Sequence, residues 1–164
     1  MAVKRSRELK PLSSEHQQAL LVAYQLKKGI AGHSESAGAP KDLPGLLALA
    51  RRYDDAVFRS HTRAEEDLLG RHLSEPDMRR LQSEHREMER LLEFARTARP
   101  NELRAALASF ADLLERHIRW EERELFAAFE QRLGADVLAS VGHELEKRLV
   151  MGVRNDPKAQ RRPQ

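Results

Sequence analysis

Two pairs of side chains in this sequence combine a histidine and a carboxylate at a spacing that suits metal ligation. His61 is followed four residues later by Glu65, and His117 is followed four residues later by Glu121. Residues four apart on an α-helix lie one turn apart on the same face. Each pair therefore offers an imidazole nitrogen and a carboxylate oxygen to the same region beside its helix.

Both pairs lie on apolar stripes at helical spacing, and two further histidines do so as well. His85 lies between Leu81 and Met88 on one stripe, and His16 lies in line with Leu20 on another. An unpaired buried carboxylate costs several kcal/mol or becomes protonated, and two that face each other are less favourable still. A bound multivalent cation is the simplest way to make such an arrangement favourable. The sequence therefore predicts a metal centre with the ligands His16, His61, Glu65, His85, His117 and Glu121.

The residue types in the chain limit the choice of metal. There is no cysteine, so disulfides and thiolate sites are excluded and any metal must be bound by nitrogen and oxygen. Such donors, about three per ion, suit iron or manganese better than structural zinc, and the whole set suits two metals better than one. The Glu-x-x-His pattern of ferritin-like proteins and the HExxH pattern of zinc proteases are both absent from the sequence. The residues therefore indicate a pair of iron or manganese ions, with zinc as a substitute.

Other polar side chains are not assigned to this centre. Glu89 lies one turn beyond the histidine of the third predicted helix, and the sequence leaves open whether it is a seventh ligand or a surface carboxylate. His72 follows His61 at a distance of about 16 Å along a helix, too far to share the same metal pair. His33, in a loop, and His143, on the last helix, are predicted not to bind metal.

The elements that must position the ligands are four long helices and a short fifth. Leu, Ala, Arg and Glu dominate the composition and favour helix. Ser14 with Gln17 is interpreted as a capping box, and Ser74 and Asn101 as N-caps. Short connections imply antiparallel neighbours, so the predicted fold is all-α: an up-down-up-down four-helix bundle with a short fifth C-terminal helix. The predicted helices cover residues 14–29, 44–72, 75–98, 102–133 and 135–150.

The chain is predicted to form one domain between two terminal segments, because 164 residues suit a single domain. We expect an N-terminal extension at residues 1–12, a helical bundle at 13–150 and a flexible basic tail at 151–164. The N-terminus lacks the apolar run of a signal peptide, and no stretch approaches the roughly 20 apolar residues of a membrane span. The protein is thus expected to be cytoplasmic and not to partner with a membrane. The basic tail carries no interleaved aromatic residues, so nucleic acid is not an expected partner.

The segments that carry the ligands resemble the hemerythrin-like family, the HHE cation-binding domains. The resemblance rests on SSEHQQALL, FRSHTRAEEDLL, LQSEHREME and HIRWEERELF, of which the last is the most specific, and it covers roughly residues 11–148. It implies a non-haem di-iron centre in which Glu65 and Glu121 bridge the irons and the four histidines are terminal ligands. Oxygen-carrying members have a second histidine on the third helix where this chain has Glu89. The chain is therefore more similar to bacterial di-iron proteins linked to iron-centre repair and to nitric oxide or peroxide stress.

These observations support three functional hypotheses. The first is a di-iron protein that binds or reacts with a small molecule such as O2, NO or peroxide, in stress response or iron-centre repair. Its centre would be lined by apolar side chains that restrict water, among them Phe110, Trp120, Leu125 and the region of Met88. The second is an iron-binding sensor or iron-handling protein without catalytic turnover. The third is a plain interaction bundle in which the histidines are structural. The sequence leaves open whether the protein is an enzyme.

Overall fold

The computed structural model describes residues 5–154, and the side chains of residues 5–149. Regular secondary structure within this part of the chain is entirely helical, so the predicted all-α fold is confirmed. None of the described helices is both long enough and apolar enough to cross a membrane. The α-helices in chain order are α1 (Lys10–Ile30), α2 (Ser34–Ala37), α3 (Leu43–Tyr53), α4 (Arg59–Ala64), α5 (Glu75–Ala95), α6 (Pro100–Trp120), α7 (Phe126–Arg132) and α8 (Ala135–Arg154).

Some neighbouring α-helices are joined by π-helical segments, which produces two long continuous helices. We call the run of residues 43–72, which contains α3 and α4, the second bundle helix, and the run of residues 100–132, which contains α6 and α7, the fourth. Helices α1 and α5 are the first and third bundle helices. A π-helical turn contains an extra residue per turn and is frequent at functional sites. The π-helical segments are Asp54–Phe58, Glu65–Leu69 and Glu121–Leu125.

Side-chain contacts show that neighbouring bundle helices are antiparallel. Between α1 and the fourth bundle helix, Lys27 pairs with Glu115 and Ser13 donates a hydrogen bond to Glu122. Residue numbers therefore rise along one helix as they fall along the other. The second bundle helix is antiparallel to both α1 and α5 by the same criterion, and α5 is antiparallel to the fourth bundle helix. The predicted up-down-up-down arrangement is confirmed.

The predicted start of the first helix is wrong. Helix α1 begins at Lys10 rather than at Ser14, and Pro11 occupies its first turn. Proline suits this position because its fixed φ fits the helix and its missing N–H would have no helical partner there. Ser14 and Gln17 therefore lie inside the helix and form no capping box. The earlier start places His16 well within α1, at a level where it meets the histidines of the other helices.

Two further residues were predicted to be N-caps, and one of these predictions is confirmed while the other is wrong. Ser74 is confirmed as the N-cap of α5, since its hydroxyl accepts a hydrogen bond from the backbone N–H of Asp77 at 3.2 Å. Asn101 is not the N-cap of α6, because that helix begins one residue earlier at Pro100. Arg99 is the N-cap instead, because Pro100 occupies the first helical position, where proline is favoured.

Two apolar clusters fill the interior of the bundle and leave a polar level between them. One cluster is built around Phe58 and Phe110, and the other around Trp120 and Phe126. Each cluster combines side chains from several bundle helices, so burial of the clusters sets the rotation of every helix about its axis. The predicted ligands lie at this polar level, between the two clusters.

Helix α8 covers the end of the second cluster. It packs against α4, α1 and the turn at Arg7–Leu9. Gly142 permits this close approach, because a Cβ atom there would lie only 2.8 Å from Cβ of Glu8. The helix extends to Arg154, beyond the predicted end at residue 150. The predicted limits of the domain and its tail stay predictions, and residues 155–164 lie outside the described part of the chain.

Candidate metal centre

The structure brings all six predicted ligands together between the four bundle helices. The four histidines are 1 to 6% exposed, and both glutamates are 0% exposed. Their ligand atoms form two groups, and within each group these atoms all lie within 4.8 Å of one another. Both glutamates belong to both groups. The first group is His16, His61, Glu65 and Glu121, and the second is Glu65, His85, His117 and Glu121.

Each glutamate directs one carboxylate oxygen to each group. Oε1 of Glu65 lies 3.0 Å from Nε2 of His61, in the first group. Oε2 of Glu65 lies 3.4 Å from Nε2 of His85, in the second group. Glu121 divides its oxygens in the same way, at 3.1 Å from a histidine Nε2 of each group. Two carboxylates that reach into both groups have the geometry of ligands shared by two cations.

The outward nitrogen of each of the four clustered histidines is hydrogen-bonded to a carboxylate on a neighbouring bundle helix. An ionised carboxylate can only accept, so in the neutral imidazole the proton lies on Nδ1. The lone pair of Nε2 then points into the centre, as it does in metal-bound histidines that donate through their other nitrogen. The pairs, measured from Nδ1 to the carboxylate oxygen, are His16–Glu122 at 2.7 Å, His61–Glu15 at 2.6 Å, His85–Glu66 at 2.7 Å and His117–Glu84 at 2.7 Å.

The interior of the cluster contains hydrogen-bond acceptors, namely histidine Nε2 atoms and carboxylate oxygens, but no hydrogen-bond donors for them. The two histidines of each group face each other, with Nε2 atoms 3.0 Å and 3.1 Å apart. With the protons on Nδ1, no Nε2 atom can donate. Among residues 5–154, the four carboxylate oxygens of Glu65 and Glu121 have no hydrogen-bond partner. Buried carboxylates without a hydrogen-bond donor are strongly unfavourable, so the donor set fits a cation within each group.

The pKa values of the histidines show the same demand for positive charge. Burial lowers the pKa of His117, but the nearby carboxylate of Glu121 outweighs burial and raises that pKa to about 10. The same balance, with Glu65 as the nearby charge, raises the pKa of His61 to about 9. The pKa values of the other two histidines are raised as well. Either bound protons or metal ions must therefore compensate the two buried carboxylates.

Both shared glutamates stand at the first residue of a π-helical segment. The backbone N–H of Gly70 bonds to the carbonyl of Glu65, and that of Phe126 bonds to the carbonyl of Glu121. The sequence predicted uninterrupted α-helices here, because a π-helical turn keeps the apolar pattern of the helix and leaves no separate signature. The extra residue in the turn changes the direction of the side chains that come after it.

Aromatic rings close the centre on both sides. Phe126 stacks on the ring of His16 with centroids 5.4 Å apart, and Phe58 lies edge-on to a histidine of the second group at 6.5 Å. Trp120 lies 6.0 Å from the ring of His117. Phe58 and Phe126 were missed by sequence reasoning, which identified only part of the apolar surroundings. The residues predicted to line the centre are all buried: Met88, Phe110, Trp120 and Leu125.

The other candidates lie outside the two groups. His33 and His143 are exposed, and His72 is half-buried against the ring of Phe129 at 6.0 Å. Glu89 is exposed on α5, beside Arg63 rather than inside the bundle. The side chain of Glu89 therefore does not belong to either group of predicted ligand atoms.

Sequence reasoning missed the four carboxylates that accept hydrogen bonds from the histidines. They share one property, because each is the immediate chain neighbour of a predicted ligand. The pair Glu-His occurs on both α1 and α5, and the pattern His-x-x-x-Glu-Glu occurs on both the second and fourth bundle helices. This recurrence was the available signal. The missed residues are Glu15, Glu66, Glu84 and Glu122.

Fold and donor set together define a helical-bundle protein with a buried histidine–carboxylate centre suited to metal cations. Residues 76–149 match the family model of the Hemerythrin HHE cation binding domain, so the resemblance predicted from the sequence is confirmed over this segment. The matched segment contains His85, His117 and Glu121, and the fold brings the other three predicted ligands to them from outside this segment. No curated protein and no solved structure gives a significant match to the chain.

Proposed function

We propose that the chain is a non-haem di-iron protein that binds or reacts with a small molecule such as O2, NO or peroxide. The observation that carries this proposal is the division of the oxygens of Glu65 and Glu121 between two histidine pairs. Two groups that share both carboxylates suit two ions held close together. The cation-binding description of the matching family supports the same conclusion.

The proposed reaction with a small molecule requires iron rather than zinc, because zinc has no redox chemistry. Each group offers two imidazole nitrogens and one oxygen from each of two shared carboxylates. Structural zinc is satisfied by such a set, whereas iron in oxygen-reactive sites commonly keeps open positions beside its protein ligands. Two bound iron ions would supply redox chemistry and open positions for a small molecule. Manganese or zinc remain substitutes with the same donors.

The side chains of the centre hold the ions and keep bulk water away. Glu65 and Glu121 are 0% exposed, and the rings of Phe58, Trp120 and Phe126 close the space around the histidines. Exclusion of water strengthens every electrostatic interaction inside the site. An apolar enclosure of this kind favours small neutral molecules over large or charged substrates. This preference and the family resemblance together support a role in stress response or iron-centre repair.

The second candidate is an iron sensor or iron-handling protein without turnover. The observation that favours it is that every bundle helix contributes at least one ligand. Metal binding would therefore stabilise the whole bundle by linkage, and a partner could recognise the ordered state. The two candidates share the same metal centre and differ only in whether the bound ions react with a small molecule or report their presence to a partner.

Metal analysis combined with absorbance spectroscopy tests the shared centre. Protein prepared with ferrous iron is expected to retain two iron ions per chain and to develop ligand-to-metal absorption in the near ultraviolet after exposure to air. Protein that retains no metal would instead support the plain interaction bundle, in which the histidines are structural. A variant with His143→Ala, which changes an exposed histidine, should match the wild type.

Rapid mixing distinguishes the two candidates. Reduced, iron-loaded protein is mixed anaerobically with O2, NO or peroxide, and its absorbance is monitored in time. A spectral change with at least one of these molecules supports the first candidate. A loaded protein whose spectrum is unchanged by all three would exclude it and leave the sensor or iron-handling role.

A further inference from the structure

The four carboxylates that accept hydrogen bonds from the histidines form a closed ring around the bundle. We call Glu15, Glu66, Glu84 and Glu122 the carboxylate ring. Glu15 on α1 accepts from the second bundle helix, and Glu66 on the second helix accepts from α5. Glu84 on α5 accepts from the fourth bundle helix, and Glu122 on the fourth helix accepts from α1. Each helix therefore holds the histidine of the next helix, in one direction around the bundle.

The contacts of the ring are short and partly shielded from water. The distances from Nδ1 to the carboxylate oxygens are 2.6 to 2.7 Å, which is typical of charge-assisted hydrogen bonds. The side chains of the four glutamates are 15 to 31% exposed, and those of their histidine partners are 1 to 8% exposed. Ion pairs between long, flexible side chains on the surface contribute little to stability. Here the histidine of each pair is buried, so this weakening by solvent and flexibility is smaller.

Two members of the ring are also held by arginines. Arg80 donates to Glu84 at 2.9 Å, and Arg5 donates to the carboxylate of Glu122 at 3.1 Å. Among the residues that the structure describes, Glu15 and Glu66 form no ion pair with an arginine or a lysine. Truncation of either of these two glutamates would remove a single side-chain hydrogen bond, the one to its histidine.

We infer that the carboxylate ring consists of positioning residues for the metal centre. Each glutamate holds the proton of one histidine on Nδ1 and sets the orientation of the imidazole, so that Nε2 points at its metal. Because each contact joins two helices, the ring also ties helix rotation to ligand geometry. This inference rests on the proposed metal centre. Partners of this kind typically change metal affinity by roughly 10- to 100-fold.

Glu66 offers the sharpest test, with zinc as a diamagnetic substitute for iron. The variant Glu66→Ala removes the acceptor of His85, and Glu66→Gln keeps an acceptor oxygen but removes the charge. Zinc affinity is measured by competition with a chelator, and the Nδ1–H signals of the four histidines are observed by NMR in the zinc-loaded protein. The matched control is Glu89→Ala, which truncates an exposed glutamate of α5 outside the cluster.

Glu66→Ala is expected to weaken zinc binding by about 10- to 100-fold and to expose the Nδ1–H of His85 to rapid solvent exchange. The other three histidine signals should persist, and Glu66→Gln should recover the His85 signal and part of the affinity. Glu89→Ala should match the wild type. Glu15→Ala, read out on His61, repeats the test in the first group should Glu66→Ala fail to fold.

The outcomes separate this inference from the proposed function. Wild-type protein that takes up no zinc or iron would overturn the metal centre itself. Wild-type binding with unchanged affinity and an unchanged His85 signal in Glu66→Ala would overturn only the positioning role. Equal damage to all four histidine signals, without recovery in Glu66→Gln, would also overturn it, because that pattern indicates a general structural defect.

Discussion

The Nε2 atoms of His85 and His117 lie 3.1 Å apart inside the bundle, although the two residues belong to different helices. Each ring has its other nitrogen bonded to a carboxylate, so in the neutral form both inward atoms carry lone pairs. Two lone pairs at this distance repel each other unless positive charge lies between or beside them. The pair therefore requires a proton or a metal cation at this point, and the histidines of the first group repeat the arrangement at 3.0 Å.

Replacement of Glu121 by alanine should reduce metal content more than any change outside the centre. The carboxylate has one oxygen in each group. Its loss would therefore remove one oxygen ligand from each ion and one of the two carboxylates that both ions share. We expect the iron content to fall from two ions per chain to one or fewer, measured by elemental analysis after desalting. His143→Ala is the control, and equal metal loss in both variants would contradict the ligand assignment.

Removal of metal should make stability fall at alkaline pH. Burial lowers the pKa values of His61 and His117, but the nearby glutamates outweigh it and raise these values to about 9 and about 10 in the metal-free protein. A histidine whose folded pKa is raised stabilises the fold fully below its unfolded pKa, about 6.5. That contribution is lost as pH rises through the folded value. The melting temperature of chelated protein should thus fall between pH 6.5 and about 10.

Metal-loaded protein provides the comparison for this pH series. Its histidines are deprotonated at Nε2 and bound to metal, so there is no proton to lose in this range. Its melting temperature should change much less than that of chelated protein between neutral and alkaline pH. Parallel curves for the two forms would show that the buried histidines do not carry the charge inferred for them.

Iron loading should quench the fluorescence of Trp120. This residue is the single tryptophan of the chain, and its ring lies 6.0 Å from that of His117. A redox-active ion bound to His117 would be near enough to quench the excited indole by electron or energy transfer. Emission should fall on addition of ferrous iron and recover on chelation, and zinc should have a much smaller effect. Emission that is indifferent to iron would place the bound metal away from His117.

Replacement of Arg5 by alanine should speed the loss of metal without unfolding the bundle. Arg5 donates to Glu122 and to Glu130, and its guanidinium lies 5.1 Å from the ring centroid of Phe126. These contacts hold the carboxylate that orients His16. We expect faster transfer of metal to a chelator, measured by stopped flow, with little change in circular dichroism.

Arg7→Ala is the matched control for this prediction, because Arg7 is exposed and lies two residues further along the same segment. Its metal transfer rate should equal that of the wild type. If Arg5→Ala also releases metal at the wild-type rate, the contact between Arg5 and Glu122 contributes nothing to the centre.

The ligand positions were accessible from the sequence because helical periodicity is a local property. His61 and Glu65 share a face in any α-helix, and their place on an apolar stripe predicts that this face is buried. The absence of cysteine limited the donors to nitrogen and oxygen. The structure brings the predicted side chains together as this reasoning requires.

The helix starts and the π-helical segments were not accessible in the same way. The start of α1 at Lys10 depends on how Pro11 fits the first turn, which competes with an equally plausible cap at Ser14. The π-helical segments that begin at Glu65 and Glu121 shift backbone hydrogen bonds by one residue. Such a shift is decided by the packing of the whole bundle, so the local pattern does not indicate it.

By itself, the sequence determined the all-α class, the four ligand-bearing stripes and the chemistry of the donors, since each depends on residue type and helical period alone. Only the tertiary structure decided which carboxylate meets which histidine. Glu66 looks like an ordinary surface charge in the sequence, yet it accepts a hydrogen bond from His85 on another helix. That contact depends on the rotation and antiparallel register of both helices, which are set by the packing of the two apolar clusters on either side of the centre.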